Sequence, residues 1–334
     1  MTIVIDAVPA IPGLKFRHFQ GQGDFTQLAA VLTASSAADQ MDRVVDADDL
    51  ARAFQHMINC DPFKDLIIAD VAGKVVGYSR GWWEEGVSSQ RVYSHNGFML
   101  PEWRRKGIGQ VLLNSMEQHF REVSASHLPG LEKVFQVNVT HFQVGTAALV
   151  ERSGYHPVRY YDLMVRPSLD KIIATPLPEG LEIRPVFPEH YRRVWQLVVE
   201  VSQDEWGHPP LTEDDYQEWL TSPEFQPDLW QVAWEISTNR VVGEVLTFIH
   251  HAENKQFNRL RGYTEGIGVT RTWRRRGVAS ALISRSLLAQ KSAGMTESAL
   301  VVDTANPSGA THLYESLGFQ VTKRDTLYRK LMES

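Results

Sequence analysis

The chain has 334 residues, 43% hydrophobic and 22% charged, with a formal net charge of -6. This is ordinary globular composition with material for two cores, and the charge has the wrong sign for a protein that coats nucleic acid. No apolar run approaches the ~20 residues of a transmembrane helix, and the single cysteine, Cys60, excludes an internal disulfide and a cysteine-based zinc site.

In chain order, MTIVIDAVPAIPG has an early aspartate and no basic region before its apolar residues. It is a poor signal peptide, and a cytoplasmic location is expected. LKFRHF (14–19) reads as a strand, DFTQLAAVLTAS (24–35) as a helix, and VDADDLARAF (45–54) as a second helix opened by acidic residues. LIIADVAGKVVGYSRGWW (66–83) is two apolar runs around a glycine turn, a β-hairpin. NGFMLPEWRRKGIGQVLLNSMEQHF (96–120) is a strand, a basic turn with glycines, and an amphipathic helix. LVERSGYHPVRYYDLMV (149–165) closes the half.

The series then repeats. LEIRPV (181–186), HYRRVWQLVVEVSQ (190–203), LTEDDYQEWL (211–220), WQVAWEISTNRVVGEVLTFI (230–249), GIGVTRTWRRRGVASALISRSLLAQ (266–290) and LYESLGFQVTKRDTLYRKL (313–331) match the six landmarks in order. A repeat at the length of a domain means two domains of one fold. The expected division is residues 1–166, a linker at 167–180 and residues 181–334, because the prolines of RPSLDKIIATPLPEG mark a connection. His250 and His251 read as loop residues, and no metal site is expected.

The basic turn carries the chemistry. A strand ending at Val269 runs into TWRRRGVAS, and a helix leaves it. The free N–H groups and dipole of a helix start attract an anion. Gly277 and the small Ala279 admit a close approach, and Arg274 can fork onto a phosphate oxygen. In the first half Arg104, Gly107 and Gly109 stand in these roles. The spacing is neither G-x-G-x-x-G nor G-x-x-x-x-G-K-[ST].

Arg274-Arg275-Arg276-Gly277-Val278-Ala279 and Arg104-Arg105-Lys106-Gly107-Ile108-Gly109 resemble the acetyl-CoA signature [QR]-x-x-G-x-[GA] of the GCN5-related N-acetyltransferase (GNAT) family. NPSGATHLYESLGF (306–319) is similar to that family's later segment. The resemblance covers nearly the whole chain, as a tandem two-domain protein distantly similar to the mycothiol synthase type. It implies an α/β (α+β) fold: two GNAT domains, each a mixed, mostly antiparallel sheet flanked by helices and splayed between its fourth and fifth strands. It also implies acetyl-CoA as cofactor and direct acetyl transfer to a primary amine in a ternary complex. The contacts to acetyl-CoA would come from the two signatures, from Ile267, Val269 and Asn306, and from Met99 in the first half. Tyr314 falls at the family's general acid, and Glu265, with the facing of Ile267 and Val269 on the preceding strand, falls where a base is often found.

The first half departs from this pattern. Val150 occupies the place of Tyr314 and cannot donate a proton, and His95 falls where Glu265 falls. That half is expected to keep the fold without catalysing. The loop SQDEWGHPPLTEDD offers Asp204, Glu205, Trp206 and His208 as a receptor for a cationic amine, or is a solvated acidic loop. The expected partner is a small-molecule amine, with no nucleic acid and no membrane, and the chain a monomer (a pseudo-dimer of domains) or a homodimer. An acyl-CoA sensor without turnover, a longer acyl group and an O-acceptor stay open at this point.

Overall fold

The structure is a computed structural model describing residues 5, 8–43, 45–55, 57–85, 90–204, 206–207, 211–306 and 309–333. The first half supplies β1 (Leu14–His18), α1 (Phe25–Ala38), α2 (Ala47–Gln55), α3 (Pro62–Asp65), β2 (Leu66–Val71), β3 (Lys74–Glu85), β4 (Gln90–Met99), α4 (Ile108–Ala125), β5 (Glu132–Thr140), α5 (Val144–Arg152) and β6 (His156–Arg166). The second supplies β7 (Leu181–Ile183), α6 (Tyr191–Ser202), α7 (Glu213–Thr221), β8 (Gln231–Glu235), β9 (Arg240–Val245), α8 (His251–Gln256), β10 (Arg261–Tyr263), β11 (Gly268–Val269), α9 (Val278–Ser292), β12 (Glu297–Asp303), α10 (Ala310–Ser316) and β13 (Gln320–Leu331).

Local chemistry explains most of these bounds. The β2–β3 hairpin turns on Ala72 and Gly73, both left-handed (φ 52° and 88°), the type that matches strand twist. Asn239 (φ 56°) does the same work between β8 and β9. At α7, Thr212 and Asp215 form a capping box. α5 and α10 both stop on a left-handed glycine, Gly154 and Gly318 (each φ 86°). Of the two histidines read as loop residues, His250 lies in the loop before α8, its Nε2 3.3 Å from the Glu224 carboxylate, whereas His251 opens that helix.

The chain forms two compact units, Met1–Arg159 with Asp325–Ser334, and Tyr160–Arg324. In the first, strands run β1-β2-β3-β4-β5 followed by the last part of β13, antiparallel except for β4 beside β5. α4 covers one face over Tyr93, Met116, Phe120 and Phe135, while α1 and α2 cover the other over Leu28, Leu32, Phe54 and Tyr78. In the second unit β7, β8, β9 and β11 make an antiparallel group, and β10 pairs in parallel with β12, which pairs with β6. α9 packs one face and α6 and α7 the other, around the fully buried Trp234. Both units are mixed α/β, as the repeat implies.

The terminal strands of the two repeats change places. Most of β6, last in the first repeat, belongs to the second unit beside β12. The end of β13, last in the second repeat, belongs to the first unit beside β5. The segment read as a linker is also held: the Thr175 N–H donates to the Ser284 hydroxyl (3.1 Å), Arg285 donates to the Thr175 carbonyl (2.9 Å), and Leu169 is buried in the second unit's core.

Tyr328 is therefore a core residue of the first unit, with its hydroxyl donating to Glu151 (2.9 Å). Tyr328→Ala should cost about 3 kcal/mol, the scale of a large buried side chain. Hydrogen exchange should show lost protection in β5 and α4 with α9 unchanged; loss confined to α9 would contradict this assignment.

Candidate active site

The two basic turns share one backbone conformation. After β4 a short 3-10 turn, Pro101–Trp103, leads to Arg104; after β11 another, Arg271–Trp273, leads to Arg274. Arg105 and Arg275 are left-handed (φ 62° and 61°), as are Gly107 and Gly277 (φ 85° and 86°), the caps of α4 and α9. Left-handed backbone costs a non-glycine residue roughly 1–2 kcal/mol. Here it turns successive N–H groups toward one side, an anion-binding concavity, and the first helical turn adds its own unpartnered N–H groups. A Cβ added at Gly277 would meet nothing within 4 Å, so the mouth of that turn is open. Ile108 and Val278 are buried in their cores, so only their backbone can face a ligand. Gly109 and Ala279 are half-buried behind them.

Arg274 and Arg104 do not point outward to fork a phosphate. Arg274 donates to the Val269 carbonyl (3.0 Å) and the Asp204 carboxylate (2.6 Å). Arg104 donates to the Met99 carbonyl (3.4 Å) and through both terminal nitrogens to Asp39 (2.7 and 2.9 Å). Each guanidinium clamps its turn to the carboxylate that follows the first helix of the repeat. Asp204 is thus committed to the turn rather than offered to a cationic acceptor. Arg271 also pairs with it, and Arg271, then Arg274, hold its carboxyl below the usual range. The side chains left outside are Arg105, Lys106, Arg275 and Arg276. Lys106 and Arg276 lie over the Trp103 and Trp273 rings (4.6 and 5.0 Å). Sequence reasoning missed Asp39 and misread Asp204 because each clamp closes over more than sixty residues.

The strand gap lies next to each turn. In the first unit the parallel ladder of β4 and β5 ends at Ser94 and Gln136. In the second, β10 and β12 pair up to Tyr263 and Ala299, and the Thr264 N–H still donates to the Ala299 carbonyl (2.8 Å). The next rung goes to a side chain: the Val301 N–H donates to the Glu265 carboxylate (2.8 Å). Gly266 is left-handed (φ 55°) and breaks the strand, so Glu265 lies between β10 and β11 and not on a strand. Beyond it the Thr270 N–H donates to the Val242 carbonyl (2.9 Å). In an antiparallel ladder alternate residues bond to one neighbour, which directs the Val269 N–H to the other edge, toward the gap. Ile267 and Val269 pack on the core beneath α9.

Tyr314, on α10, is almost fully buried. Burial, and secondarily the charge of Glu265, push its phenol up, so it keeps its proton at any physiological pH. At the matching place on α5, Val150 fills the first core. His95 is buried on β4 with Nε2 3.0 Å from the Tyr155 hydroxyl. Burial first, and Lys330 second, lower it to about 4, so it is neutral. Asn306 lies in the turn before α10 and is not its cap, which is the left-handed Gly309 (φ 70°). Trp206 is half-buried, and Glu205 and His208 lie outside the described residues.

Cavities open in the first unit. One of about 610 Å³ is lined by Asp39, Met99, Trp103, Arg104, Arg105, Gly107, Gly109 and residues of α5. A second, about 100 Å³, shares Met99, Gly109 and Leu149 with it and reaches His95 and Val150 in the gap. A pyrophosphate at the turn with a narrow arm running into the gap suits this shape. The first unit thus has an open cleft at its turn, and the second has the buried tyrosine with Glu265 close enough to act on it.

Glu244 on β9 stands opposite Gly268 of β11 and is buried, with one carboxyl oxygen unpartnered among the described residues. Burial raises its pKa well above the ordinary 4.5. A Cβ at Gly268 would come within 3.2 Å of its other oxygen, a close approach of that strand to the carboxyl.

Two family descriptions match the chain. "Acetyltransferase (GNAT) family" matches residues 32–155 and "Acetyltransferase (GNAT) domain" matches residues 228–321. A mycothiol acetyltransferase of Catenulispora acidiphila is 26% identical over 250 residues, 74% of this chain and 73% of that protein. One of Thermobifida fusca is 28% identical over 258 residues, 70% of this chain and 73% of that protein. The crystal structure of a GCN5-related N-acetyltransferase from Sphaerobacter thermophilus shares the fold, with a TM-score of 0.77, 24% identity, and 96% of each chain covered.

Two outcomes follow from the clamps and the buried carboxyl. Exposed pairs are worth up to about 1 kcal/mol, so Asp204→Asn should weaken an anion at the second turn by at most about fivefold and leave the first turn alone; calorimetry with coenzyme A checks this. Glu244 holds a proton in the folded chain that it loses in the unfolded chain above pH 4.5. The stability it contributes is full below that pH and is lost as pH rises toward its folded pKa, by about 1.4 kcal/mol per unit. The stability of Glu244→Gln relative to the parent should therefore grow with pH above 4.5. A constant difference across melting curves from pH 4 to 8 would exclude a buried neutral carboxyl.

Proposed function

The chain belongs to the GCN5-related N-acetyltransferase family as a tandem two-domain member, and we propose that its second unit moves an acetyl group from acetyl-CoA to the primary amine of a small molecule, directly in a ternary complex. One observation carries this reading: a protonated, buried tyrosine and a glutamate stand together at the gap of the second unit, while the first unit has Val150 and a buried neutral histidine in their places. The two relatives named mycothiol acetyltransferase support acetyl transfer as the chemistry. At under 30% identity the acceptor does not carry over with it.

Acetyl-CoA supplies an activated acyl group as a thioester. The N–H groups of 275–279 hold the pyrophosphate, with Arg275 and Arg276 adding charge from outside, and Asn306 contacts the arm. The Val269 N–H, turned toward the gap, donates to the carbonyl oxygen as negative charge develops there. Glu265 takes the proton from the attacking amine, directly or through one water. Tyr314 gives its proton to the departing sulfur, and its raised pKa keeps that proton in place until then. The first unit binds acetyl-CoA in its cleft and does not transfer from it.

Calorimetry should count two coenzyme A per chain, and one in either Gly107→Trp or Gly277→Trp. Thiol release against a panel of primary amines should persist in Gly107→Trp and vanish in Gly277→Trp. Tyr314→Phe should keep binding and lose about 10²–10⁴ in kcat, the usual contribution of a general acid. The parent's rate should rise with pH as the amine deprotonates, with no decline from tyrosine ionisation below pH 10. A Tyr314→Phe enzyme with parental kcat would end the general-acid assignment, and equal loss in both glycine variants would end the division of labour.

A further inference from the structure

A buried group that this chemistry does not use lies on the other face of the first unit's sheet. A Cβ at Gly81 would collide with Phe120 and Met116 of α4, so its neighbours on β3 point away from α4. That face carries Tyr78, Arg80 and Trp82 of β3, opposite Phe98, Asn96 and Ser94 of β4. The rings of Tyr78 and Phe98 lie 5.2 Å apart, tilted by 43°, under α1 and α2. Arg80, one step further along β3, is half-buried with its guanidinium carbon 5.2 Å from the Trp82 ring.

Among the described residues the Arg80 guanidinium has neither a hydrogen bond nor an ion pair. Of the carboxylates beside Cys60, Asp61 is committed to Lys64 and Asp65 to His119. The charged group that does reach it has its own sign, Arg43, from the segment between α1 and α2. Arg43 lies over the Phe98 ring at 5.9 Å and likewise has no acidic partner among the described residues. The remaining neighbours, Cys60 and Tyr78, are protonated; burial pushes the thiol to about 11 and the phenol up. A desolvated arginine without a counter-charge is costly, and a second one beside it adds to that cost.

We propose that this face is a binding site for a small molecule bearing an oxyanion, a carboxylate or a phosphate, gripped by Arg80 and Arg43 between Trp82 and Phe98. Planar guanidinium forks suit either group in bidentate geometry. The aromatic walls suit a ligand with a flat body. The site faces away from α4, so it is separate from the basic turn that opens that helix.

The test titrates the full chain, free of coenzyme A, with benzoate and separately with inorganic phosphate, following tryptophan fluorescence and calorimetry. Phosphate is also drawn to the two turns, so the readout is the difference between the parent and Arg80→Gln. The expected result is one saturable site weakened about tenfold in Arg80→Gln, the scale of a charge-assisted pair of hydrogen bonds, and weakened also in the exposed variant Arg43→Gln. Dependence on Arg80 in the benzoate arm alone assigns a carboxylate, and in the phosphate arm alone a phosphate. Without ligand, Arg80→Gln should melt at or above the parent. No Arg80-dependent site for either anion overturns the proposal, as does an Arg80→Gln protein that melts several degrees lower, which would make the arginine structural. If Arg80→Gln does not fold, parental affinity in Arg43→Gln overturns it as well.

Discussion

The second unit is organised around one hydrogen bond, from the Val301 N–H to the Glu265 carboxylate. Up to Ala299 the backbone of the preceding strand supplies the acceptors for β12; at Val301 a side chain does. Because the carboxylate spans a wider distance than a backbone carbonyl, the strands part there while the Val301 N–H keeps an acceptor. Gly266 releases the chain from the ladder, β11 then pairs with β9, and the Val269 N–H is left toward the opening. The same interaction fixes the Glu265 carboxylate where its charge reaches Tyr314. In the first unit the strands part at the same point, but His95 turns inward to Tyr155. One unit therefore sets a carboxylate at the gap, and the other commits that position to its core.

The turns show how a shared backbone can persist while chemistry diverges. Each requires two left-handed residues, one of them an arginine, and such strain survives only where the surroundings fix it. The clamp does so: Arg104 on Asp39 in one unit and Arg274 on Asp204 in the other, each also holding the carbonyl at the end of the incoming strand. The arginine that begins the signature is thus part of the scaffold. What the turn leaves facing outward is its exposed basic residues, Arg105 and Lys106 in one unit and Arg275 and Arg276 in the other.

Much of this was legible in the sequence. The duplication, the hairpins and the turn glycines rest on local rules, and Gly277 was recognisable because a close approach demands it. The contrast of Tyr314 with Val150 was legible too, since the LYESLGF and LVERSGY segments align without gaps. What escaped was set by distant partners. Nothing local distinguishes Asp204 as a clamp from Asp204 as a receptor for cations. Glu265 was placed on a strand because the period of two continues through Gly266, whose left-handed backbone breaks it. Arg80 gave no signal either, because its interest lies in the absence of a carboxylate that only the fold can reveal. The exchange of β6 and β13 was equally hidden: both repeats end in the same kind of strand, and either would satisfy the edge of either sheet.

That exchange has a consequence during synthesis. The first unit has β5 early, yet the strand that flanks it follows only after the rest of the second repeat has been translated. At roughly 5–20 residues per second, the edge of β5 waits for tens of seconds on the ribosome, an open strand edge of the kind that invites mispairing. During that interval β6 is the only terminal strand available, and it is covalently adjacent. A nascent chain can pair β5 with β6 first and must then trade it for β13 when the second unit emerges. Pausing, chaperone capture and aggregation should all be governed by this late replacement, and the two repeats cannot be expressed as separate halves without leaving each with the other's strand missing.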